Sequence, residues 1–296
     1  MGQRAGYGAA VAGWRCEGLR WPGGEPVLRW EGGRAGPLAY GREIGFRAVG
    51  ERRCVGARGN PCPMRAVVGG RSSGGRCPEC ARLDRVGSVA ADGIADDPRV
   101  YRVYLAWFGP GMVKVGITAE ERGGARLREQ GAVAYGWLGR GPLMAARRTE
   151  EVLGSALGVP DRIPYAAKRA ARVGLPGEAE RAAEVAELHG RAMGVPGWAD
   201  TLEPVEPRVV DHAGLFGLDR VDRVDGVVGA LVDGGCVRGT LTAAAGPDLH
   251  LEDPDGRALV LDTRLITGWE LVAAGSAART TVPVTVLPPG VQDGLF

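Results

Sequence analysis

Tyr104, Lys114 and the arginines at 122, 126 and 128 are the residues of this 296-residue chain whose types and spacing could do chemistry together. A phenol, an amine and a guanidinium held close to one another can deprotonate a water and hold a phosphate. The elements that must position them are legible in the stretch from Tyr101 to Ala132. Residues 101–108 and 112–118 are two runs rich in Val, Ile, Tyr, Leu and Trp, and Gly109-Pro110-Gly111 between them suits a hairpin turn. Past Thr118 the chain becomes rich in Arg and Glu, with Arg122, Arg126 and Arg128 at helical spacing. A hairpin leading into a helix brings Tyr104, Lys114 and one arginine within reach of each other. Taken singly, Tyr104 also reads as a cross-strand aromatic and Arg126 as a solvated helix residue. Lys114 is more unusual, being one of two lysines among 37 basic residues. Arginine keeps its proton, whereas lysine can shift its pKa and serve near a nucleophile.

A second set is the cysteines. Cys54-x7-Cys62, fourteen residues, then Cys77-x2-Cys80 place four thiols in one window. With thiols kept reduced, such clustering points to metal ligands rather than disulfides. Four thiolates close a tetrahedral zinc site with no open position, the structural kind. Arg52, Arg53, Arg58, Arg65, Arg71 and Arg76 crowd this window and suggest a phosphate-binding surface beside a staple for a Gly-rich segment. Cys16 and Cys236 stand alone and read as small buried apolar residues. His189, His212 and His250 show no ligand spacing, and no Walker loop is present.

Arg102-Val103-Tyr104 and Lys114-Val115-Gly116 resemble the two half-motifs of the GIY-YIG nuclease superfamily, in the form where the second tyrosine is a lysine. That similarity covers about residues 98–170. The pattern VYLA…KVGIT…R…QGA more closely resembles the domain of unknown function 2797 family, over most of the chain. The superfamily resemblance implies metal-assisted attack of water on a phosphodiester. Tyr104 would be the general base or its relay, and Lys114 would lower that phenol's pKa or contact the scissile phosphate. Arg126, four residues before Gln130-Gly131-Ala132, would stabilise the developing charge. A glutamate on the next helix would bind one Mg²⁺ or Mn²⁺ as Lewis acid. Glu150 flanks the stripe of Leu153 and Leu157 and is the choice; Glu151, beside Gly154, Ser155 and Gly158, is the fallback. The sequence departs from the superfamily in having Arg102 for the first glycine, and in lacking the second tyrosine and an asparagine around Ile163–Ala167.

Charge is uneven along the chain. Residues 1–87 carry 15 arginines against 7 acids, and residues 98–175 carry 13 basic residues against 6. Residues 176–296 reverse this, with 9 arginines against 19 acids. A basic front fits an anionic partner, although the acidic rear also reads as a balance for solubility. No stretch has a signal-peptide layout and no apolar run approaches membrane-spanning length, so a cytoplasmic protein without membrane contact is expected.

These readings give an α+β, multi-domain chain. A β-rich N-terminal domain with a zinc ribbon-like insertion is expected over 1–87, followed by a small acidic linker over 88–97. The GIY-YIG-like α+β domain spans 98–175, with a strand over 133–138 and a helix over 143–157. A helical connector covers 176–204, and five short strands suggest a small β-barrel of SH3 or OB type over 205–282. The tail, 283–296, reads as extended. Its last residues, Gln292-Asp293-Gly294-Leu295-Phe296, resemble the pentapeptide that docks bacterial replication and repair proteins on the sliding clamp. Gln292, Leu295 and Phe296 would make the contacts. The expected function is a zinc-containing nucleic-acid-interacting protein, for DNA or RNA, of GIY-YIG nuclease type. A non-catalytic binding module and a zinc-stabilised protein-interaction scaffold are the alternatives.

Overall fold

The structure is a computed structural model that describes residues 13–86, 97–160 and 162–287. The described residues open with four strands, β1 (Trp14–Arg20), β2 (Val27–Trp30), β3 (Arg34–Pro37) and β4 (Glu43–Val49), then an irregular segment and helix α1 (Pro78–Val86). A second group follows: β5 (Val100–Gly109), β6 (Met112–Ala119), α2 (Ala125–Gln130), β7 (Ala134–Pro142), α3 (Leu143–Leu157), α4 (Tyr165–Ala171), α5 (Glu178–Met193), β8 (Glu203–Pro204) and β9 (Val209–Asp211). The last group is α6 (Ala213–Phe216), β10 (Gly226–Val228), β11 (Cys236–Ala245), β12 (Asp248–Glu252), β13 (Ala258–Asp262), α7 (Thr263–Ile266), β14 (Glu270–Ala273) and β15 (Val284–Val286). Among the described residues no helix is long and apolar enough to cross a membrane. The expected linker lies, apart from Asp97, outside the described residues.

The first and last groups share one ten-stranded sheet, in the order β15-β10-β13-β12-β11-β4-β14-β1-β2-β3. The barrel expected over 205–282 does not close. A short sheet closes to satisfy its edges, and here other strands satisfy them. β4 lies antiparallel between β11 and β14, with Thr240 opposite Glu43 and Glu270 opposite Val49. The strands read from the sequence as an N-terminal β-rich unit thus continue the C-terminal sheet. Residues 284–286, read as the start of an extended tail, pair with β10 instead.

The second sheet has the order β6-β5-β7-β8, with β9 also on β7, and is covered on both faces. That explains why β5 (VYRVYLAWFG) is almost continuously apolar rather than alternating. Its odd residues, Val103, Leu105 and Trp107, pack in a core with Leu143, Ala146 and Leu153 of α3 and Val185 of α5. Its even residues, Tyr104, Ala106 and Phe108, pack with Leu127 of α2, Ile163 and Ala167 of α4. The hairpin is pinned from α5: the Glu184 carboxylate accepts from the Trp107 indole N–H at 2.6 Å and from the Gly111 backbone N–H at 2.9 Å. Gly111 takes the left-handed φ of +66° that this two-residue turn needs.

Helix α4 joins the two sheets through buried charge. Arg169 donates to Asp248 at 2.6 Å and to Asp262 at 2.7 Å, and Arg172 donates to Asp248 at 2.6 Å. Gly131, at the left-handed end of α2, approaches the turn after β11. A Cβ there would stand 2.5 Å from the Arg172 guanidinium and 3.1 Å from the Gly246 nitrogen. Positions 131 and 246 are therefore held to glycine by close backbone approach as well as by φ.

Candidate metal centre and cation-lined site

The irregular segment after β4 supplies two of the four clustered cysteines and the start of α1 the other two. The Sγ atoms of Cys54, Cys62, Cys77 and Cys80 all lie within 4.8 Å of one another, and all four residues are buried. Pro78 takes the first helical position, where its missing N–H costs nothing, so Cys77 and Cys80 share one end of α1. Gly56 has φ +80°, and a Cβ on it would meet the Asn60-Pro61 backbone, which fixes the tight turn after Cys54. The backbone N–H groups of Cys77 and Gly56 donate to the Cys54 sulfur at 3.2 and 3.4 Å. Backbone N–H groups of Ala66 and then Met64 pull the Cys62 thiol down to about 7. Burial outweighs the two donors at Cys54 and leaves its thiol raised, and burial with the neighbouring thiols pushes Cys80 up to about 12, so a bound cation would be what holds all four as thiolates. The cluster could hold a metal ion such as zinc.

The arginines around it are mostly committed. Arg52 is buried and donates to four carbonyls, those of Gly69, Ser72, Thr267 and Arg264, at 2.7 to 2.8 Å. It staples the cysteine segment to the large sheet and presents nothing to a phosphate. Arg53 pairs with Glu51 and Arg76 with Asp84. Arg58 donates to the Leu83 carbonyl at 3.0 Å, so the phosphate surface expected here shrinks to the exposed Arg65 and Arg71. Cys16 and Cys236 are buried, as expected of apolar residues.

The second site lies on the α2 and α4 face of the small sheet. Tyr104 pairs with Gly116 across β5 and β6, and Lys114 pairs with Ala106. Opposite residues in an antiparallel pair project to the same face, so Lys114 shares the face of Tyr104 and Phe108. The Tyr104 phenol accepts from the Gln130 side-chain amide at 2.8 Å. Burial pushes this phenol up. The Gln130 amide and the charge and hydrogen bond of Arg126 pull the other way, and the nearby Glu150 carboxylate pushes it up again. Arg126 from α2 therefore reaches the Tyr104 oxygen, and Glu150 from α3 lies near enough for its charge to act on it. Glu150 is half-buried and Glu151 exposed, which separates the two glutamates.

Lys168 joins these residues from α4, and the sequence reading did not single it out. Its Nζ donates to the Gln130 carbonyl at 3.1 Å and lies 3.7 Å from the centre of the Phe108 ring. Burial lowers its pKa from 10.5 to about 7, reinforced by Arg172 and Lys114 and then Arg126, with Asp248 opposing. The charges of Lys114 and Arg126 thus both act on Lys168. A sequence signal existed: Lys114 and Lys168 are the two lysines of the chain, and both are in this site. Gln130, noted in the sequence only as part of a motif, holds Tyr104 by its side chain and Lys168 by its backbone carbonyl.

Arg102 makes a 2.6 Å ion pair with Glu120 and stacks over the Trp137 ring at 5.1 Å. It has a structural place at the sheet's rim. The three histidines are all buried, and two of them make backbone contacts: His189 meets the Trp137 carbonyl and His212 that of Ala132. Gln292, Leu295 and Phe296 lie outside the described residues.

A family model described as a protein of unknown function, DUF2797, matches residues 41–271, and the chain belongs to that family. The matched span contains the four cysteines and all the residues of the cation-lined site. The comparisons with curated proteins and with solved structures returned no match.

Proposed function

We propose that this DUF2797 protein is a zinc-containing, nucleic-acid-interacting protein that holds a phosphodiester at Tyr104, Lys114, Arg126 and Glu150, in the manner of a GIY-YIG nuclease. The observation that carries the reading is the Tyr104 phenol under the hydrogen bond and charge of Arg126 and the charge of Glu150, on the sheet face that Lys114 also occupies. A cationic cluster around a phenol suits an oxyanion that gains charge in the transition state. Lys114 would contact the phosphate and Arg126 the developing charge. Tyr104, held as a neutral phenol by burial, would relay a proton rather than act as a phenolate.

Among the described residues no group of three or more His, Cys, Asp or Glu gathers at this site. One carboxylate, Glu150, suits Mg²⁺ or Mn²⁺ when phosphate oxygens and water complete the coordination, as Mg²⁺ accepts. When bound, such an ion would supply a Lewis acid at the leaving oxygen. The cysteine cluster would take zinc in a purely structural role, its four thiolates leaving no position for a substrate.

A second reading is binding without cleavage, favoured by the depth at which Tyr104 is buried, 1 % exposed, with its phenol raised. The experiment that separates the two is a cleavage assay on single-strand, duplex and branched DNA and RNA with Mg²⁺ or Mn²⁺. Products lost in Glu150→Gln and Arg126→Met support the nuclease. Binding without products supports the module. The proposed sliding-clamp contact through Gln292, Leu295 and Phe296 would link either activity to replicating or repaired DNA. Titration of the terminal peptide into a bacterial clamp tests it, with Phe296→Ala as the control.

A further inference from the structure

We propose that Lys168 is a third cation of the phosphate site and takes up a proton when the anionic group of the ligand binds. The inference rests on the phosphodiester reading above and adds the group that would sense the anion. The geometry starts from α4, whose Arg169 and Arg172 are clamped to Asp248 and Asp262 in the large sheet. That clamp fixes where the Lys168 side chain enters the small sheet's face. Its Nζ bonds the Gln130 carbonyl at 3.1 Å and faces the rings of Phe108 at 3.7 Å and Tyr165 at 4.7 Å. One of the ammonium's three N–H donors is thereby used, and two remain for a ligand.

A purely structural role explains this residue poorly. Lys168 is 4 % exposed in an apolar cluster, where a methionine of similar length would pack without the cost of burying a charge. The chain otherwise meets its structural needs for buried cations with arginine, as at Arg52, Arg172 and Arg181. The two positions that keep lysine lie on the same sheet face, near enough for one charge to act on the other. What distinguishes lysine is that it can be neutral when the site is empty and charged when the site is filled.

The charges around it set that exchange. Burial disfavours the ammonium most, followed by Arg172 on its own helix, Lys114 on β6 and Arg126 on α2, while Asp248 on β12 favours it; together they bring the amine to about 7. A phosphodiester monoanion placed among Lys114, Arg126 and Lys168 would offset the two neighbouring cations. The amine would then gain a proton from solvent, and binding would be linked to proton uptake by the same free energy that raises the pKa.

The test uses the full chain with lysine labelled with ¹³C at Cε, which gives two signals because there are two lysines. Lys114→Arg assigns them without touching Lys168. The probe is dimethyl phosphate, a phosphodiester that does not itself titrate near neutrality. The proposal expects one signal to titrate near pH 7 in the free protein and its midpoint to rise by at least about one unit with the probe bound. It also expects binding to weaken as pH rises from 6.5 to 8.5, and Lys168→Met to lose about tenfold in affinity at pH 6.5 together with that pH dependence. If the Lys114 signal responds and the Lys168 signal does not, the inference falls and the phosphate site stands. If neither responds, both fall.

Discussion

The Tyr104 ring lies directly over the α-carbon of Gly116, its partner across the hairpin, so that a Cβ at 116 would sit 2.5 Å from the phenol's Cζ. This contact explains the glycine at position 116. Position 116 has ordinary φ and needs no special backbone, but it needs to leave room for the ring. Gly116→Ala is expected to force the ring aside and cost roughly 1–3 kcal/mol, the usual range for overpacking. In a Tyr104→Ala background the same change should cost far less. Denaturant unfolding of the four proteins of this double-mutant cycle measures the coupling.

The cysteine cluster predicts one bound metal per chain. Elemental analysis of purified protein should give close to one equivalent of zinc, lost in Cys77→Ser. Because metal binding and ordering of the segment are linked, chelation should lower the melting temperature of wild-type protein. Cys236→Ser, at a buried thiol outside the cluster, should keep the metal and cost about 1 kcal/mol.

Asp248 receives both Arg169 and Arg172, and its own side chain is fully buried. Asp248→Ala leaves Arg172 without its carboxylate and Arg169 with Asp262 alone, and should destabilise the protein by roughly 3–5 kcal/mol. It should also loosen α4, and with it Lys168. Hydrogen exchange of the α4 amides checks this, with faster exchange expected there than in α5.

Acid sensitivity follows from Asp262. Burial would raise this carboxyl, but the Arg264 hydrogen bonds and charge, with Arg169, outweigh it and the net shift is downward from 3.8. With the folded pKa below the unfolded one, the stabilisation is present above the unfolded value and is lost as pH falls through the folded one. Asp262→Asn should therefore be less stable than wild type at pH 7 and lose less on acidification below about pH 4. Urea midpoints from pH 7 to pH 2.5 give the comparison.

Lys168 predicts the opposite limb. Its folded pKa of about 7 lies below the unfolded 10.5, so the fold carries a cost that is complete below the folded value and gone above the unfolded one. Relative to Lys168→Met, the wild-type protein should gain stability as pH rises from 7 to 10, and the difference should be flat below about pH 6. A constant difference across the whole range would show that the lysine stays protonated in the fold.

Much of the small sheet was legible because its signals are local. The strand runs on either side of Gly109-Pro110-Gly111 and the helix over 143–157 follow from short-range pattern, and they appear as β5, β6 and α3. The open ten-stranded sheet was not legible, because placing β4 between β11 and β14 joins residues about 190 to 230 positions apart. Short strands with turn residues look alike whether they close on themselves or accept a distant partner. Tyr104, Lys114, Arg126 and Glu150 could be named from motif and spacing. Lys168 could not be placed, since α4 is a single short element whose position depends on Arg169 and Arg172 reaching the far sheet. Its rarity as a lysine was the available clue.

The central claim, that the face bearing Tyr104, Lys114, Arg126 and Lys168 binds a nucleic-acid backbone, is tested most directly by fluorescence anisotropy of labelled oligonucleotides across a salt series. Wild-type protein should bind, with affinity falling as salt rises. The Lys114→Met, Arg126→Met double variant should bind more weakly and show a salt slope smaller by about two phosphate contacts, while keeping its metal and its fold. Equal affinity and equal salt slope for the two proteins, or no binding by the wild type, would contradict the account.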